Sequence, residues 1–391
     1  MDSAALQQPP TPDSPPVETI IELAPPYFGL PVSGYGGTER VIWSLSVELS
    51  KQAVQDPTLA RVELWAPGDS AQIASGTRLK LVSTVPTALG LHQPFRSMNQ
   101  LGDDMYRLRE RLESDAQAVG HIHVEDEGFK VFGDAAKTVS VRILTTMHNL
   151  PKWWAARYFS HMPVIAISHA QAAGIRGFKF LKVIHNGIDP DLFHPTYDLR
   201  SDAPFAFLGR FCPNKNPVDA VEIARACGAR IEVAGISDKD AEDYARRLDV
   251  LIAQGVGWAK RVGEVSDVFD ARLGQSSKSA FLGNSRALLF PIQWPEPFGL
   301  VIAEANATGT PVIAYNHPGS SVDELIKDGV NGYKVTSRDE AVQAARAIHK
   351  LDRRRVREYF ERHFTVKTMA EAYRRVLCDD LPQYWKDEGL K

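Results

Sequence analysis

Three times along the chain a short apolar run passes through a glycine- or proline-bearing loop into a helix-patterned stretch and out into a second apolar run. In the first unit Val17–Ala24 reads as a buried strand and 25–37 as the loop. Val41, Ile42, Leu45 and Leu49 then share one helical face, and Arg61–Ala66 is a strand ended by Pro67-Gly68-Asp69. In the second, Phe205–Gly209 is a strand, Pro217 suits the first turn of a helix, Gly228 its end, and Arg230–Gly235 the next strand. The third runs from Ala287–Ile292 through a helix near Gly299–Thr308, stopped by Gly309 and Pro311, to Val312–Tyr315. Each is a βαβ unit, whose crossover makes its two strands parallel, so the chain is predicted to be α/β throughout. Ser321-x-x-Glu324 has the capping-box pattern and opens a further helix.

A chain of 391 residues suffices for two such domains. The stretch His185–Tyr197 carries a turn dipeptide, acids and two prolines between strand-like segments, and the hinge is placed there. The expected boundaries are a first domain over 17–197 and a second over 198–365. Residues 1–16 hold five prolines and almost nothing apolar, which predicts a disordered tail. An apolar share of 44% and a charged share of 24% are those of a soluble globular enzyme, and exclude collagenous or wholly disordered chains. Forty-five basic against 48 acidic residues leave −3, so no global field draws nucleic acid. Cys212, Cys227 and Cys378 form no C-x-x-C, which speaks against zinc or a disulfide framework and for a reducing compartment. With no spanning apolar run and no basic-then-apolar leader, a cytoplasmic protein is expected. Arg353, Arg354, Arg355, Arg357 and Arg362 make a basic run, but Asp352, Glu358 and Glu361 dilute it. A solvated helix face, rather than membrane contact, is predicted.

Four segments have residues suited to chemistry. In Glu296-Pro297-Phe298-Gly299-Leu300-Val301-Ile302-Ala303-Glu304 a strand ends, a loop carries a carboxylate, and a helix starts at a glycine. Free amides at a helix start suit a phosphate, and Glu304, further in, suits a diol beside it, as a ribose would offer. In Gly209-Arg210-Phe211-Cys212-Pro213-Asn214-Lys215 two cations flank a loop at the carboxyl end of a strand, where parallel sheets bind ligands. They would neutralise a diphosphate without a metal. Gly34-Tyr35-Gly36-Gly37-Thr38-Glu39-Arg40 fails the dinucleotide fingerprint at Glu39, yet still makes a glycine-lined helix start. Leu144–Asn149 is a strand-like run ending at His148, which the residues alone leave open between a core or capping histidine and a site residue.

Taken in order, these segments resemble the retaining glycosyltransferases of family 4, over nearly the whole chain beyond residue 17. Glu296 and Glu304 match that family's E-x7-E element, Gly209-Arg210 with Lys215 its G-R-x4-K element, and Ile184–Asp189 its domain-linking loop. The resemblance implies a GT-B fold: two Rossmann-like domains facing each other across a cleft, with a C-terminal helix over 366–391 crossing back to the first. It also implies metal-independent transfer of a hexose from a nucleoside-diphosphate sugar, UDP- before GDP-linked, to an acceptor hydroxyl, with no cofactor. Glu296 would bind the donor sugar's hydroxyls; Phe298, Gly299 and Leu300 would line the sugar and diphosphate; Glu304 would hold the ribose. Arg210 and Lys215 would stabilise the departing diphosphate, Gly37 with Gly36 would meet it from the other domain, and His148 would sit at the anomeric centre. Val262–Val265 resembles the base-binding loop, and 268–284 is longer than the link expected after it.

Other readings were weighed. Asp189-Pro190-Asp191 and Asp238-Lys239-Asp240 are D-x-D pairs, but one falls in the hinge and the other starts a polar helix, so no metal is assigned. His121 and His123, ahead of Glu125, Asp126 and Glu127, are zinc-type residues; a strand with its loop facing the cleft and touching acceptor is preferred. For Met105–Leu112 and Trp153-Trp154-x-x-Arg157 a core or surface helix is preferred to an acceptor wall, and Trp294 suits either stacking or packing. The alternatives to a nucleotide-sugar transferase are a phosphorylase-like enzyme using a sugar phosphate, a silent nucleotide-sugar binder and, third, a dehydrogenase.

Overall fold

The computed structural model describes residues 16–34, 36–71, 76–90, 94–123, 142–150, 162–178 and 180–387. Residues 1–15 of the expected tail, Glu125–Glu127 and Trp153-Trp154-x-x-Arg157 lie outside them. The first sheet is parallel and seven-stranded: β1 (Thr19–Leu23), β2 (Arg61–Ala66), β3 (Leu79–Ser83), β4 (Ala118–Ile122), β5 (Ile143–Met147), β6 (Val164–Ala166) and β7 (Phe180–Val183), in spatial order β3-β2-β1-β4-β5-β6-β7. The second has β8 (Phe205–Leu208), β9 (Ile231–Ala234), β10 (Ala259–Gly263), β13 (Leu288–Phe290), β14 (Val312–Tyr315) and β15 (Gly332–Val335), in order β10-β9-β8-β13-β14-β15. A small antiparallel pair, β11 (Phe269–Asp270) and β12 (Gln275–Ser276), stands apart inside the long 268–284 segment.

Both orders reverse part-way, between β1 and β4 and between β8 and β13. At such a point the loops leave in opposite directions and open a crevice at the carboxyl ends of the strands. The helices that matter to these crevices are α1 (Gly37–Gln55), α2 (Pro94–Glu113), α3 (His169–Gly174), α4 (Pro217–Ala226), α5 (Glu242–Gln254), α6 (Ser277–Gly283), α7 (Leu300–Ala307), α8 (Val322–Leu325), α9 (Arg338–Ala347), α10 (Arg353–His363), α11 (Val366–Arg375) and α12 (Leu381–Asp387). Helix α1 follows the periodicity of its sequence, burying Val41, Ile42, Leu45 and Leu49 on the first sheet. Met105, Leu108 and Leu112 of α2 join the same core, so that helix packs rather than forming an acceptor wall.

The chain crosses between the sheets twice. The outward link follows β7, and the return falls at Phe364–Val366. The two are zipped together: Ile188 N–H donates to Phe364 O at 2.8 Å and Val366 N–H to Ile188 O at 2.9 Å. A Cβ at Gly187 would stand 2.5 Å from Thr365 O, so only glycine lets the links touch. Beyond them α11 and α12 pack on the first domain, where Val366, Met369, Ala370, Tyr373, Leu381 and Trp385 join its core.

Two local expectations are corrected. Ser321 forms no capping box: its hydroxyl donates to Phe298 O at 2.6 Å, and no side chain caps α8. Glu324 instead reaches across the domains to accept from the amides of His169 (2.9 Å) and Ala170 (2.6 Å) at the start of α3, and it pairs with His185 at 2.8 Å. The basic run is also not wholly solvated. Arg353 binds the carbonyls of Ser285 (2.9 Å) and Gly283 (2.7 Å), and Arg357 that of Phe193 (3.0 Å), because these carbonyls have no ladder partner where the linker meets the second domain.

Candidate active site

A cleft of about 320 Å³ lies between the two switch points. Gly36, Gly37 and His148 line it from the first domain, and Arg210, Lys215, Glu296, Phe298, Gly299, Leu300 and Glu304 from the second. Each position follows from a local cause. Gly36 (φ +139°) precedes α1 and Gly299 (φ +84°) precedes α7, a backbone region that side chains disfavour, and neither helix has a side-chain cap. Two uncapped helix starts thus face one cleft, each with amide donors and a partial positive charge. The ring of Phe298 packs in the second domain's core, 5.8 Å from His185 and 6.3 Å from Phe364.

The two cations are held by carboxylates. Lys215 Nζ lies 2.6 Å from Glu296 Oε2, which also accepts from Trp294 Nε1 at 2.8 Å, and the ammonium sits 5.5 Å from the Trp294 ring centroid. Trp294 therefore lines the cleft and also fixes Glu296. Arg210 donates to Asp238 at 2.7 Å, and Asp238 also accepts from Asp240 N–H, so the second D-x-D orients a guanidinium. In the first, Asp189 accepts from Asp191 N–H at 3.0 Å and caps a short turn.

Lys278 was missed. It is a buried lysine on α6 that lines the cleft, 3.0 Å from Glu304 and 2.7 Å from Asp267. Asp267 is bound in turn by Arg40 of α1, which also donates to Gly34 O, and Ser266 Oγ donates to Ser33 O at 2.7 Å. Ser266 and Asp267, just ahead of the long segment, thus tie the domains together, and Lys278 within it joins them to Glu304. The segment's length was visible in sequence; that its single lysine is buried was not. Glu264 and Val265 of the suspected base loop also line the cleft.

His148 backs onto a buried polar cluster. Gln171 donates to the carbonyls of Met147 (3.1 Å) and Asn149 (3.0 Å), clamping the backbone on either side of it. Its Nε2 lies 2.9 Å from His123 Nδ1, and His123 Nε2 lies 2.7 Å from Glu22 Oε2 on β1. His121 Nδ1 lies 2.9 Å from the same oxygen; its Nε2 meets Thr146 Oγ1 at 2.7 Å, which meets Tyr373 OH of α11 at 2.9 Å. His121 and His123 are therefore buried behind His148, at the end of the expected strand, while the loop expected to face the cleft lies outside the described residues. Burial pushes the Glu22 carboxyl up, but His121 and His123 outweigh it and bring it to about 2. Burial, helped by repulsion from His121, brings His123 down to about 4 against the pull of Glu22. Burial and the two neighbouring imidazoles hold His148 well below the usual histidine range. Glu22, His121 and His123 are zinc-type residues, but a tetrahedral zinc with bonds of 2.0–2.1 Å spreads its ligand atoms to about 3.3 Å. The 2.7 Å separation of His123 and Glu22 is that of a hydrogen bond, and both separations are shorter than that spread.

Residues 200–363 match the family described as glycosyl transferases group 1. The second domain is a group 1 glycosyltransferase domain. The whole chain has the GT-B fold of solved glycosyltransferases. Sucrose-phosphate synthase from Thermosynechococcus elongatus superposes with a TM-score of 0.70 at 17% identity, over 92% of this chain and 99% of that one. AviGT4, a glycosyltransferase involved in avilamycin A biosynthesis, gives 0.63 at 22% identity over 92% and 98%. HepE of Anabaena, solved in complex with UDP-glucose, gives 0.61 at 17% over 93% and 99%. In sequence, the D-inositol 3-phosphate glycosyltransferases of Mycobacteroides abscessus and Mycobacterium avium are 33% and 32% identical over 34% and 45% of this chain. The matched stretches span only 31% and 40% of those relatives' own length.

Proposed function

We propose that this protein is a retaining glycosyltransferase that moves a hexose from a UDP-sugar to an acceptor hydroxyl without a metal. One observation carries the reading: Arg210 and Lys215 stand at the β8/β13 switch point, in the same cleft as the uncapped start of α7. Breaking a glycosyl–phosphate bond develops charge on the departing diphosphate, and preorganised cations and amides meet it without reorganising. Both cations are already paired with a carboxylate, so a diphosphate replaces one anion by another at each. Two positive side chains supply the charge a divalent ion would otherwise bring, which supports the metal-free reading.

UDP is favoured because HepE, of the same fold, is solved with UDP and with UDP-glucose. Glu304 and Lys278 stand where a ribose would follow the diphosphate along α7, and the acceptor enters from the side of His148 and Asn149. Retention is taken from the resemblance to family 4, and the carboxylates of the cleft bear only on its route. Glu296 and Glu304 are tied to Lys215 and Lys278, which suits holding hydroxyls better than attacking carbon. Same-face substitution, with the leaving phosphate taking the acceptor's proton, needs no protein nucleophile. A cytoplasmic setting fits the three free cysteines.

Calorimetry in EDTA against UDP, GDP, ADP and their sugar conjugates tests this. UDP is expected to bind, and Arg210→Ala to weaken it roughly 10- to 100-fold, the worth of a charged hydrogen bond. A folded protein that binds none of them overturns the reading. Release of free phosphate from a sugar phosphate, in place of UDP from a UDP-sugar, would install the phosphorylase-like alternative.

A further inference from the structure

One oxygen of Glu296 carries two donors. Lys215 Nζ lies 2.6 Å from Oε2, and Trp294 Nε1 donates to the same atom at 2.8 Å. An ionised carboxylate offers about two acceptor sites on each oxygen, so Oε2 is filled and Oε1 is left for a ligand. The two donors differ in what they can do next. The ammonium ends a flexible four-carbon stem and rests above the rings of Trp294 and Phe290, 5.5 and 5.7 Å from their centroids. The indole belongs to a loop that is held along its length. His317 Nε2 lies 2.7 Å from Ile292 O, Gln293 N–H donates to Asn214 O at 2.8 Å, and Ser321 N–H to Glu296 O at 3.0 Å. Asn214 is the neighbour of Lys215, so the loops that carry the lysine and the glutamate are themselves joined.

We propose that Trp294 is a positioning residue that keeps Glu296 in place when Lys215 leaves it for the diphosphate. The inference rests on the transferase reading above, since the diphosphate is what draws the lysine away. A diphosphate carries more charge than one carboxylate and wins the ammonium from it. Glu296 would then lose a donor at the moment its orientation matters, and the sugar's hydroxyls would meet a moving acceptor. With the indole N–H still on Oε2, Oε1 stays directed at the sugar, and a carboxylate relieved of its counter-ion is the stronger acceptor. Lys215 and Glu296 are thus paired in the empty cleft and divided between diphosphate and sugar in the filled one. Trp294 serves both states: its ring supports the ammonium and its N–H the carboxylate. Neither role needs the indole to stack on the sugar.

Proton–nitrogen NMR of the indole groups reads the bond directly. Trp294 is assigned by its loss in Trp294→Phe or, should that variant not fold, by its shift in Glu296→Gln. In the free protein its N–H is expected downfield and slow to exchange. Saturating UDP is expected to move it further downfield, because the carboxylate gives up its ammonium and keeps the indole. An N–H that stays where it was, or that moves upfield and exchanges with water, overturns the inference. Trp294→Phe keeps a ring beside Lys215 and removes the N–H. With UDP-glucose as the probe donor, it is expected to lower the kcat of UDP release roughly 10-fold, the worth of one charged hydrogen bond, while UDP binds within about twofold of wild type. In a Glu296→Gln background the same change is expected to cost nothing further, because Trp294 acts through Glu296. A purely structural role would weaken UDP binding and turnover together. Direct stacking on the sugar would cost as much in the Glu296→Gln background as in the wild type. Either result overturns the inference. A wild type that binds no UDP sinks the transferase reading and this inference with it, whereas bound UDP with a released or unmoved indole sinks the inference alone.

Discussion

At the scale of single residues, three buried charged groups, Lys278, Glu296 and Glu304, line the cleft. Lys278 sits between Asp267 and Glu304 with almost no access to water. Removing one partner of a buried ion pair leaves the others uncompensated, at a cost of about 3–5 kcal/mol. Lys278→Ala is therefore expected to lower the unfolding free energy from urea titration by that amount, and an unchanged midpoint would show the network to be solvated. The histidine cluster makes a second prediction. An unfolded histidine takes up a proton near its usual pKa, whereas His123 in the fold resists until about 4. The unfolded state thus binds more protons as the pH falls, and stability must fall with it. Its contribution is full above the ordinary histidine pKa of about 6.5 and is lost as pH drops toward 4, at up to about 1.4 kcal/mol per pH unit for each such histidine. Glu22 adds a loss in the same direction below its ordinary carboxyl range. Urea titrations at descending pH read this slope; a flat profile from neutrality to pH 5 would contradict the buried neutral rings.

At the scale of elements, the sequence was most legible where one local rule sufficed. The strand at Arg61–Ala66 and the one at Val312–Tyr315 fall where their apolar runs put them, and Pro217 and Gly228 bracket α4 as their chemistry requires. The glycines before α1 and α7 marked two helix starts of the cleft before the cleft was seen. What stayed hidden depended on partners far along the chain. Ser321 and Glu324 fit a capping box, but Glu324 finds a better use at the bare amides of α3 and beside His185 in the other domain. Lys278 looked like any helix lysine until Glu304 and Asp267 were brought to it. His121 and His123 alternate as in a strand, yet nothing local says that Glu22 stands between them. Glu324→Ala removes an N-terminal cap worth about 1 kcal/mol and an interdomain ion pair together. The expected result is a slightly less stable protein with a wider domain angle, read as a larger radius of gyration in solution scattering. An unchanged radius would assign closure to the other interdomain contacts, Arg40–Asp267 and Ser266–Ser33 among them.

At the scale of the whole molecule, the boundary of the family match is not a boundary of folding. The match ends at residue 363, but Val366, Met369, Tyr373, Leu381 and Trp385 belong to the core of the first domain. Each large apolar side chain is worth about 1.5–3 kcal/mol of burial, and a domain's entire margin is about 5–15 kcal/mol. A chain ended at residue 365 is therefore expected to carry an unfinished first domain, seen as aggregation or strong binding of a hydrophobic dye. A soluble, dye-free truncation would mean that α11 and α12 are decoration. The double crossing also sets an order in time. A ribosome adds roughly 5–20 residues per second, so about 10–40 s separate the emergence of β7 from that of Trp385. Throughout that interval the first sheet exists without part of its cover, while the second domain has everything it needs. The half of the protein that is made first is thus the half that is finished last.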